Sequence, residues 1–347
     1  QGYIPGVGYE IVPTQEKKMS YLSTTVAWDT IRSITNPKVA KKIADNITGK
    51  IPLLYFLDRM GNKEHEQGGY NYMLPVFKEM INGQFYTGQS VLNAVEADPF
   101  TTAIYERKQF TVPIVATGTK ILMNSGNNEE AIINYMAAIV EAAEESAKNA
   151  ISGSTNGIFS SNGESDAGIT GLQNIVSDTP TTGTTGGLDR SVYTFWQNYQ
   201  GASATGFSTS GRSAFDTAFY SCVRGDESPS IVITTQAAYI NLNRVLTGTV
   251  NYNQPSPKVA YGDLAFEHIY WHGVPVMFDS NCPANHAYFL NLKYLRLMVH
   301  GDRDFTFRDW ITPNDQDSLV ARIYWAGNLV CSNLARQGVV TATIDTY

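Results

Sequence analysis

The stretch NNEEAIINYMAAIVEAAEESAKNA, residues 127–150, constrains the fold more than any other part of the chain. Asn127 and Glu130 are spaced as in a capping box, acidic residues occupy the first turn, and Lys148 lies near the end. At about 1.5 Å per residue the predicted helix is roughly 35 Å long, so it can support a whole domain. Its apolar side chains share one stripe: Ile132, Met136, Ile139, Val140, Ala143 and Ala147.

Residues 66–121 have β character on both sides of a turn signal. GGYNYMLPVF predicts a strand, and Asn82-Gly83 within MINGQF is a strong hairpin signal. The strand pattern resumes in TTAIYERKQFTVPIV. Two long strands with few apolar residues do not hold their shape alone, so the pattern predicts a ribbon that lies on another surface.

Strands and helices alternate through the rest of the chain. We expect a strand over ITGLQNIV (169–176), a helix over 210–224, and a strand in PSIVITTQ that leads into the helix AAYINLNRVL. Further strands are expected in LAFEHIYWHG, VPVMFD, AYFLNLKYLRLMV, DFTFRDW and the run 318–344.

The composition is poor in charge. Asp, Glu, Lys and Arg make up 16% of the chain, against about 25% in an average soluble domain. Charge is depleted and aromatic residues are enriched at interfaces, so this composition favours a protein covered by partners, although a secreted β-rich protein shares it. The net charge of −7 without a basic stripe argues against sequence-reading nucleic-acid binding. No apolar run approaches the ~20 residues of a membrane helix.

The three cysteines, Cys222, Cys282 and Cys331, are odd in number and far apart. This spacing predicts no disulfide framework and a reducing compartment. Cys282 and His286 in NCPANH have the residue types of a thiol nucleophile and its base. They share one proline-containing loop without an identifiable oxyanion element, so we interpret the pairing as incidental.

Other clusters of polar residues do not form a recognisable site. On a strand, His268 and His272 fall on one face but Glu267 falls on the other, and neither an H-E-x-x-H spacing nor a cysteine pair is present. Acidic and basic residues alternate over 302–322, which is typical of a salt-bridged surface or a subunit contact. The sequence therefore predicts no catalytic, cofactor-binding or metal site.

The glycine-rich segment TPTTGTTGGLDR, residues 179–190, raises the question of a phosphate-binding loop. It has no P-loop lysine, and its spacing is not G-x-G-x-x-G. The RSVYTFW that follows predicts a strand, not a helix whose N-terminus holds an anion. We interpret the segment as a flexible connector.

The order of elements resembles the major capsid proteins of tailed bacteriophages, which have the Hong Kong 97-like fold. SGRSAFDTAFYSCV followed by PSIVITTQAAYINLNRVL resembles the axial-domain helix and strand, and GVPVMFDSN resembles the turn and strand after them. AYFLNLKYLRLMVHGDRDFTFRDW and DSLVARIYWAGNLVCSNLARQGVVTAT resemble the closing strands. The likeness lies in order and spacing and covers nearly the whole chain after residue 30.

The resemblance implies an α+β fold in four parts. These are an N-terminal arm (1–56), an extended β-hairpin loop (57–121), a peripheral domain (122–204 and 306–347) with the spine helix 127–150, and an axial domain (205–305). Some family members crosslink subunits through a Lys, an Asn and a Glu. Arg322 and Leu329 stand at the latter two places and no Glu follows Glu267, so self-catalysed crosslinking is not expected here.

The resemblance also implies a function. The chain is expected to be a structural protein, not an enzyme, that assembles into pentamers and hexamers of an icosahedral shell around double-stranded phage DNA. The resemblance implies a virion that is assembled in the host cytoplasm, without a cofactor or a membrane and without sequence-specific DNA binding. Portal, scaffold and cement or decoration proteins are further partners that it allows.

Subunit contacts are expected in the arm, at the tip of the extended loop and in the charged segment. The residues are Lys38, Lys41, Lys42, Asn82, Gly83, Phe85, Tyr86, Arg303, Asp304 and Arg308. Three alternatives stay open at this point: an encapsulin-type compartment shell of the same fold, a secreted surface or adhesin protein, and an enzyme that uses Cys282 and His286.

Overall fold

The computed structural model describes residues 51–81, 83–89, 96–124, 129–203, 205–249 and 268–347, without the side chains of 123–124, 129–137 and 247–249. The helices are α1 Pro52–Arg59, α2 Gly118–Asn124, α3 Glu129–Ser152, α4 Leu172–Ile175, α5 Arg212–Cys222 and α6 Gln236–Thr249. The strands are β1 Lys63–Glu66, β2 Asn71–Phe77, β3 Phe100–Glu106, β4 Lys108–Thr117, β5 Thr184–Thr185, β6 Leu188–Asp189, β7 Tyr199–Ser203, β8 Ile231–Thr234, β9 Ile269–Trp271, β10 Val274–Phe278, β11 Ala287–Leu290, β12 Leu295–His300, β13 Thr306–Ile311, β14 Ser318–Cys331 and β15 Gly338–Ala342.

The described strands form two large sheets and two ribbons. One sheet has the order β1-β12-β14-β13, with β4 also paired to β14, and the other has the order β7-β15-β11-β8-β10-β9. Among the described strands, β2 pairs only with β3, and β5 only with β6. Helices and strands therefore share the body of the molecule, as the predicted α+β class requires.

Strand β14 organises the five-stranded sheet. It pairs antiparallel with β4 from Ser318↔Thr117 to Gly327↔Lys108, with β13 over its first half, and with β12 over its last residues. The second half of β14 is buried throughout, which explains the continuous apolar character of its sequence.

The long helix is confirmed over Glu129–Ser152, and it ends two residues later than predicted, while residues 127–128 lie outside the described residues. Ile139, Val140 and Ala143 pack on the five-stranded sheet. Ala147 and Ile151 are buried. The side chains of Ile132 and Met136 in the predicted stripe lie outside the described residues.

The six-stranded sheet is covered on both faces. Val232, Val276 and Phe289 face a core formed with α5 and α6. Ile231, Ile233 and other residues from the same strands face the main core, which includes the root of the β2–β3 ribbon. β8 is consequently buried at every position.

Three sequence predictions are corrected by the structure. The strand expected over 169–176 is the short helix α4, because Gly171 begins a helical turn. The strand expected after residue 190 is a 3₁₀ turn, Thr194–Trp196, whose Trp196 is buried. The run 318–344 is divided by a second 3₁₀ turn, Leu334–Arg336, between β14 and β15.

Two further features of the sequence can be compared with the described residues. Cys222, Cys282 and Cys331 are free thiols. Within the described part of the chain, none of the helices combines the length and apolar character needed to cross a membrane.

Candidate functional site

The β2–β3 ribbon has one buried face and one exposed apolar face. Tyr72, Val76, Ala103 and Tyr105 point into the main core. The opposite face is also apolar although it is exposed: Met73 is 65% exposed, Phe77 54%, Phe100 62% and Ile104 37%. Large exposed apolar patches on a protein surface mark interaction sites.

Register makes the exposed residues into one patch. Met73 lies opposite Ile104, and Phe77 lies opposite Phe100. The Phe77 and Phe100 rings meet edge to face with their centroids 5.6 Å apart. Such an aromatic pair contributes about 0.5–1.5 kcal/mol beyond the area it buries, so it keeps the two strands in register at the outer end of the ribbon.

The tip of the ribbon is exposed and partly outside the described residues. The strands end at Phe77 and begin again at Phe100, and the described neighbours of Asn82 are not in strands. The prediction that strands continue up to a tight turn at Asn82-Gly83 is therefore wrong for the described residues on either side of Asn82. Asn82 itself lies outside the described residues. Gly83, Phe85 and Tyr86 are fully or largely exposed, as are Met80 and Ile81.

The Thr- and Gly-rich segment lies against the root of the ribbon. It forms the hairpin β5–β6, in which Gly186 (φ +60°) and Gly187 (φ +73°) make the turn. The Ile104 amide donates to the Gly186 carbonyl oxygen at 2.8 Å, and the Gly186 amide donates to Glu164 Oε1 at 3.0 Å. The interpretation as a flexible connector is wrong, because this hairpin is bonded on both sides.

A buried arginine links the same hairpin to helix α4 through hydrogen bonds. Arg190 is 1% exposed, and its guanidinium donates to the carbonyl oxygens of Asn174 and Ile175 and to Thr185 Oγ1. Burial lowers the pKa of Arg190. Trp196 Nε1 donates to the Thr185 carbonyl oxygen at 2.9 Å, so the segment is locked by side chains that follow it in sequence.

A second polar network joins the ribbon to β14. Asn328, fully buried, donates to the Glu106 carbonyl oxygen at 2.7 Å and accepts the Thr170 amide at 2.8 Å. Tyr105 Oη donates to the Cys331 carbonyl oxygen at 2.9 Å. The buried hydrogen bonds of Asn328 and Tyr105 therefore fix the root of the ribbon, which orients its exposed face.

Glu164 and Lys108 complete the root. Lys108 Nζ is buried and donates to the carbonyl oxygens of Glu164 and Asp166 and to Glu106 Oε2. Burial raises the pKa of Glu164, although the Gly186 amide opposes that effect.

The charged residues predicted as a subunit contact differ in their surroundings: one forms an ion pair within the subunit, and two are exposed. Asp304 forms an ion pair with Lys63 at 2.5 Å, and its side chain is 20% exposed. Arg303 and Arg308 are exposed and lie over the ring of Tyr324. The arm residues Lys38, Lys41 and Lys42 lie outside the described residues, so their contact role stays a prediction.

Cys282 and His286 are close but are not arranged as a nucleophile and its base. The Cys282 thiol contacts the His286 carbonyl oxygen at 3.6 Å, not the imidazole ring. The ring bonds to Asp178 through Nε2 at 2.9 Å and to the Ala284 carbonyl oxygen through Nδ1 at 2.6 Å. Both ring nitrogens are therefore occupied by partners other than the thiol, and burial raises the pKa of the Cys282 thiol well above its usual value.

The remaining histidines do not gather into a metal centre in the part of the chain that is described, where no group of three potential ligands occurs. His272 pairs with Asp216 at 2.7 Å and stacks on Phe219. Glu267 lies outside the described residues.

Sequence reasoning missed the exposed face formed by Met73, Phe77, Phe100 and Ile104. Its signal was present in the sequence, because apolar residues occupy both parities of the strand: Tyr72 and Val76 on one, Met73 and Phe77 on the other. A strand with apolar residues at both odd and even positions is usually covered on both of its faces. In this molecule the described residues cover only one face of the ribbon.

Comparison with solved structures identifies the architecture. The capsid asymmetric unit of cyanophage A-1(L) matches at a TM-score of 0.63 and 16% identity, over 88% of this chain and 96% of that one. The capsid of a native GTA particle matches at 0.56 and 11%, over 88% and 94%. The holo-SrpI encapsulin complex from Synechococcus elongatus matches at 0.54 and 12%, over 89% and 93%.

Sequence comparison adds no relative: no protein-family model matches the chain, and no curated protein does. Similarity at 11–16% identity establishes the fold alone. The chain has the α+β, Hong Kong 97-like fold of phage capsid proteins, as the resemblance implied.

Proposed function

We propose that the chain is a phage major capsid protein, which assembles into pentamers and hexamers of an icosahedral shell enclosing double-stranded DNA. The observation that carries this proposal is the exposed apolar face of the ribbon, Met73, Phe77, Phe100 and Ile104, on a fold shared with capsid shells. A two-stranded ribbon with an uncovered apolar face gains stability when a neighbouring copy covers it.

In this proposal each of the four parts expected from the sequence has its own role in assembly. The parts are the arm 1–56, the extended loop 57–121, the peripheral domain 122–204 and 306–347, and the axial domain 205–305. In this proposal the ribbon and the arm contact neighbouring subunits, and the axial domain converges at the capsomer axis. Many modest contacts in a closed symmetric shell stabilise the assembly without one strong interface.

The enclosed DNA has little to bind on this protein. The chain carries a net charge of −7, so it repels phosphates overall and does not hold the genome by sequence. In the proposal the protein resides in the virion, is assembled in the host cytoplasm, and acts as a structural protein, not an enzyme. Portal, scaffold and cement proteins are the further partners that such a shell uses.

Electron microscopy of the purified protein tests the proposal. We expect closed shells from the wild type, and a protein that stays monomeric under varied salt and with scaffold supplied contradicts it. A Phe77→Ser/Phe100→Ser variant should fold, because the aromatic pair that it removes contributes only about 0.5–1.5 kcal/mol, but it should assemble poorly. Val192→Ser, which removes an exposed apolar side chain elsewhere, is the matched control.

A second candidate is an encapsulin-type shell that holds a protein cargo. It is favoured by an apolar cleft of about 480 Å³ between α1, α3 and the five-stranded sheet, lined by Leu54, Tyr55, Phe305 and Trp325 among others. Composition analysis of purified shells separates the two functions. Double-stranded DNA inside supports the capsid, whereas a second protein that is lost in Leu54→Ser shells supports the compartment.

A further inference from the structure

Helix α1 buries one of its sides and leaves another only partly covered. Leu53, Phe56 and Leu57 are buried in the main core. On the other side, Leu54 and Tyr55 are only half-buried, and they line the cleft of about 480 Å³ between α1, α3 and the five-stranded sheet. The described residues therefore leave an apolar side of α1 open to a further segment.

One carboxylate that lines this cleft has no cationic partner in the described chain. Lys148 forms an ion pair with Glu145 at 3.1 Å, and Lys63 forms one with Asp304. Asp58, at the far end of α1, is exposed, and none of the ion pairs among the described residues includes it. The cleft therefore suits a segment that is apolar along one side and carries a positive charge beside it.

The sequence immediately before α1 has this pattern. Residues 36–50 lie outside the described residues, but their sequence places Val39, Ile43 and Ile47 four residues apart. This spacing predicts one apolar stripe along a helix. The residue types that begin and end helices stand on either side of the stripe: Asn36, Pro37 and Gly49.

The short connection to α1 determines where such a segment can lie. Only residues 48–51 separate Ile47 from α1, and a connection of that length makes consecutive helices antiparallel neighbours. The main core occupies one side of α1, so the position that remains beside it is the cleft. Four residues back from Ile47 then correspond to four residues forward from Leu54, which brings Lys41 and Lys42 to the level of Asp58.

We infer that the segment 37–47 of each copy lies in the cleft of the same copy, with its apolar stripe on the cleft walls and its lysines beside Asp58. The contact is intramolecular, so it goes beyond the proposed shell and does not depend on it. Residues before 36 stay available for the neighbour contacts proposed for the arm. A cleft filled by its own chain does not admit a cargo peptide, so the inference also favours the capsid over the compartment.

Paired cysteines test the contact directly. On oxidation, the full chain with Ile43→Cys and Glu145→Cys should form an internal disulfide, seen as a monomer of changed mobility on a non-reducing gel, at least about tenfold faster than the control. The matched control pairs Ile43→Cys with Glu144→Cys, which is exposed and lies about 100° around α3 from the cleft.

The gel separates the possible occupants of the cleft. Equal rates in the two chains, or no disulfide in either, overturn the inference, and so does a product made only of disulfide-linked dimers, which would assign the cleft to the arm of a neighbouring copy. The readout is the state of each chain, so it holds whether or not shells form and leaves the proposed function to its own test.

Charge exchange in the same chain tests the register. Asp58→Lys should slow formation of the internal disulfide about two- to fivefold, because it places like charges together, and Lys41→Asp with Lys42→Asp should restore the rate. Asp315→Lys, at an exposed position on another part of the surface, is the control and should leave the rate unchanged. Equal rates in Asp58→Lys and Asp315→Lys would contradict the placement of the lysines beside Asp58.

Discussion

The Ile104 amide on the ribbon donates a hydrogen bond to the Gly186 carbonyl oxygen across 2.8 Å. The two residues belong to different ribbons, so this bond joins the exposed β2–β3 ribbon to the short β5–β6 hairpin. On its other side the Gly186 amide is bonded to the Glu164 carboxylate. The direction in which the apolar face points therefore depends on this glycine turn as well as on the hydrogen bonds of Asn328 and Tyr105.

Replacing Gly186 by alanine should destabilise the ribbon root. A Cβ there would lie 3.1 Å from Ala103 Cβ and from the Tyr105 ring, and φ is +60°. Gly187→Ala is the control, because it shares the positive φ but has open space around it. We expect Gly187→Ala to cost about 1 kcal/mol and Gly186→Ala roughly 1–3 kcal/mol more, by urea unfolding. Equal losses would show that crowding is unimportant.

Replacing Asn328 by alanine should lower the free energy of unfolding by about 2–4 kcal/mol. The substitution leaves the Glu106 carbonyl oxygen and the Thr170 amide buried without their partner. Asn314→Ala, at an exposed site, should change it by about 0.5 kcal/mol or less. A small loss in Asn328→Ala would mean that water replaces the amide.

The pair His286–Asp178 should make stability depend on pH. Burial by itself lowers the pKa of His286, but its bonds to Asp178 and the Ala284 carbonyl oxygen prevail, and the pKa is raised above 6.5. The stabilisation is therefore fully present below that ordinary value and is lost as the pH rises through the folded pKa.

Comparison of the wild type with His286→Gln measures this effect. The free energy of unfolding of the wild type should exceed that of the variant by up to about 1 kcal/mol at about pH 6. The difference is small because Asp178 is half exposed, and it should disappear by about pH 9. His300→Gln, whose ring accepts the Asp302 amide, is the control. A difference in unfolding free energy that increases with rising pH would contradict the expectation that protonated His286 is the stabilising form.

The three thiols should be unreactive in the folded protein. Burial raises the pKa of Cys222 and of Cys331 to about 12, and that of Cys282 well above its usual value. For Cys222 and Cys331 the thiolate population falls roughly a thousandfold. Titration with a thiol reagent should detect all three only after urea is added. Rapid reaction of Cys282 in the native protein, identified by its loss in a Cys282→Ala variant, would contradict this expectation and support an enzymatic role for Cys282.

Local periodicity predicted the parts of the fold that local interactions specify. The apolar stripe of α3 appears in the sequence as an i, i+4 pattern and packs as expected through Ile139 and Ala143. β1 has no such signal, because Lys63–Glu66 is polar throughout and gains its strand geometry from parallel pairing with β12. Pairing between segments that are distant in the sequence cannot be predicted from a local pattern of residues.

The root of the ribbon was missed for a related reason. Arg190 and Asn328 are residue types usually found at the surface, yet both are buried because backbone carbonyls and amides from other segments surround them. The Gly186-Gly187 turn was visible as a hairpin signal, but its strands are only two residues long and show no alternation. Buried polar partners are recognised only once the fold brings them together.

The ten-residue ladder between β4 and β14 also has a mechanical consequence. β3 leads into β4 with only Arg107 between them, so tension applied to the ribbon along the chain is transferred to that ladder. The load acts in shear, parallel to the strands, and all the hydrogen bonds of the ladder resist it together instead of opening one after another. A neighbour pulling on the ribbon thus pulls against the most extensive strand pairing in the described chain.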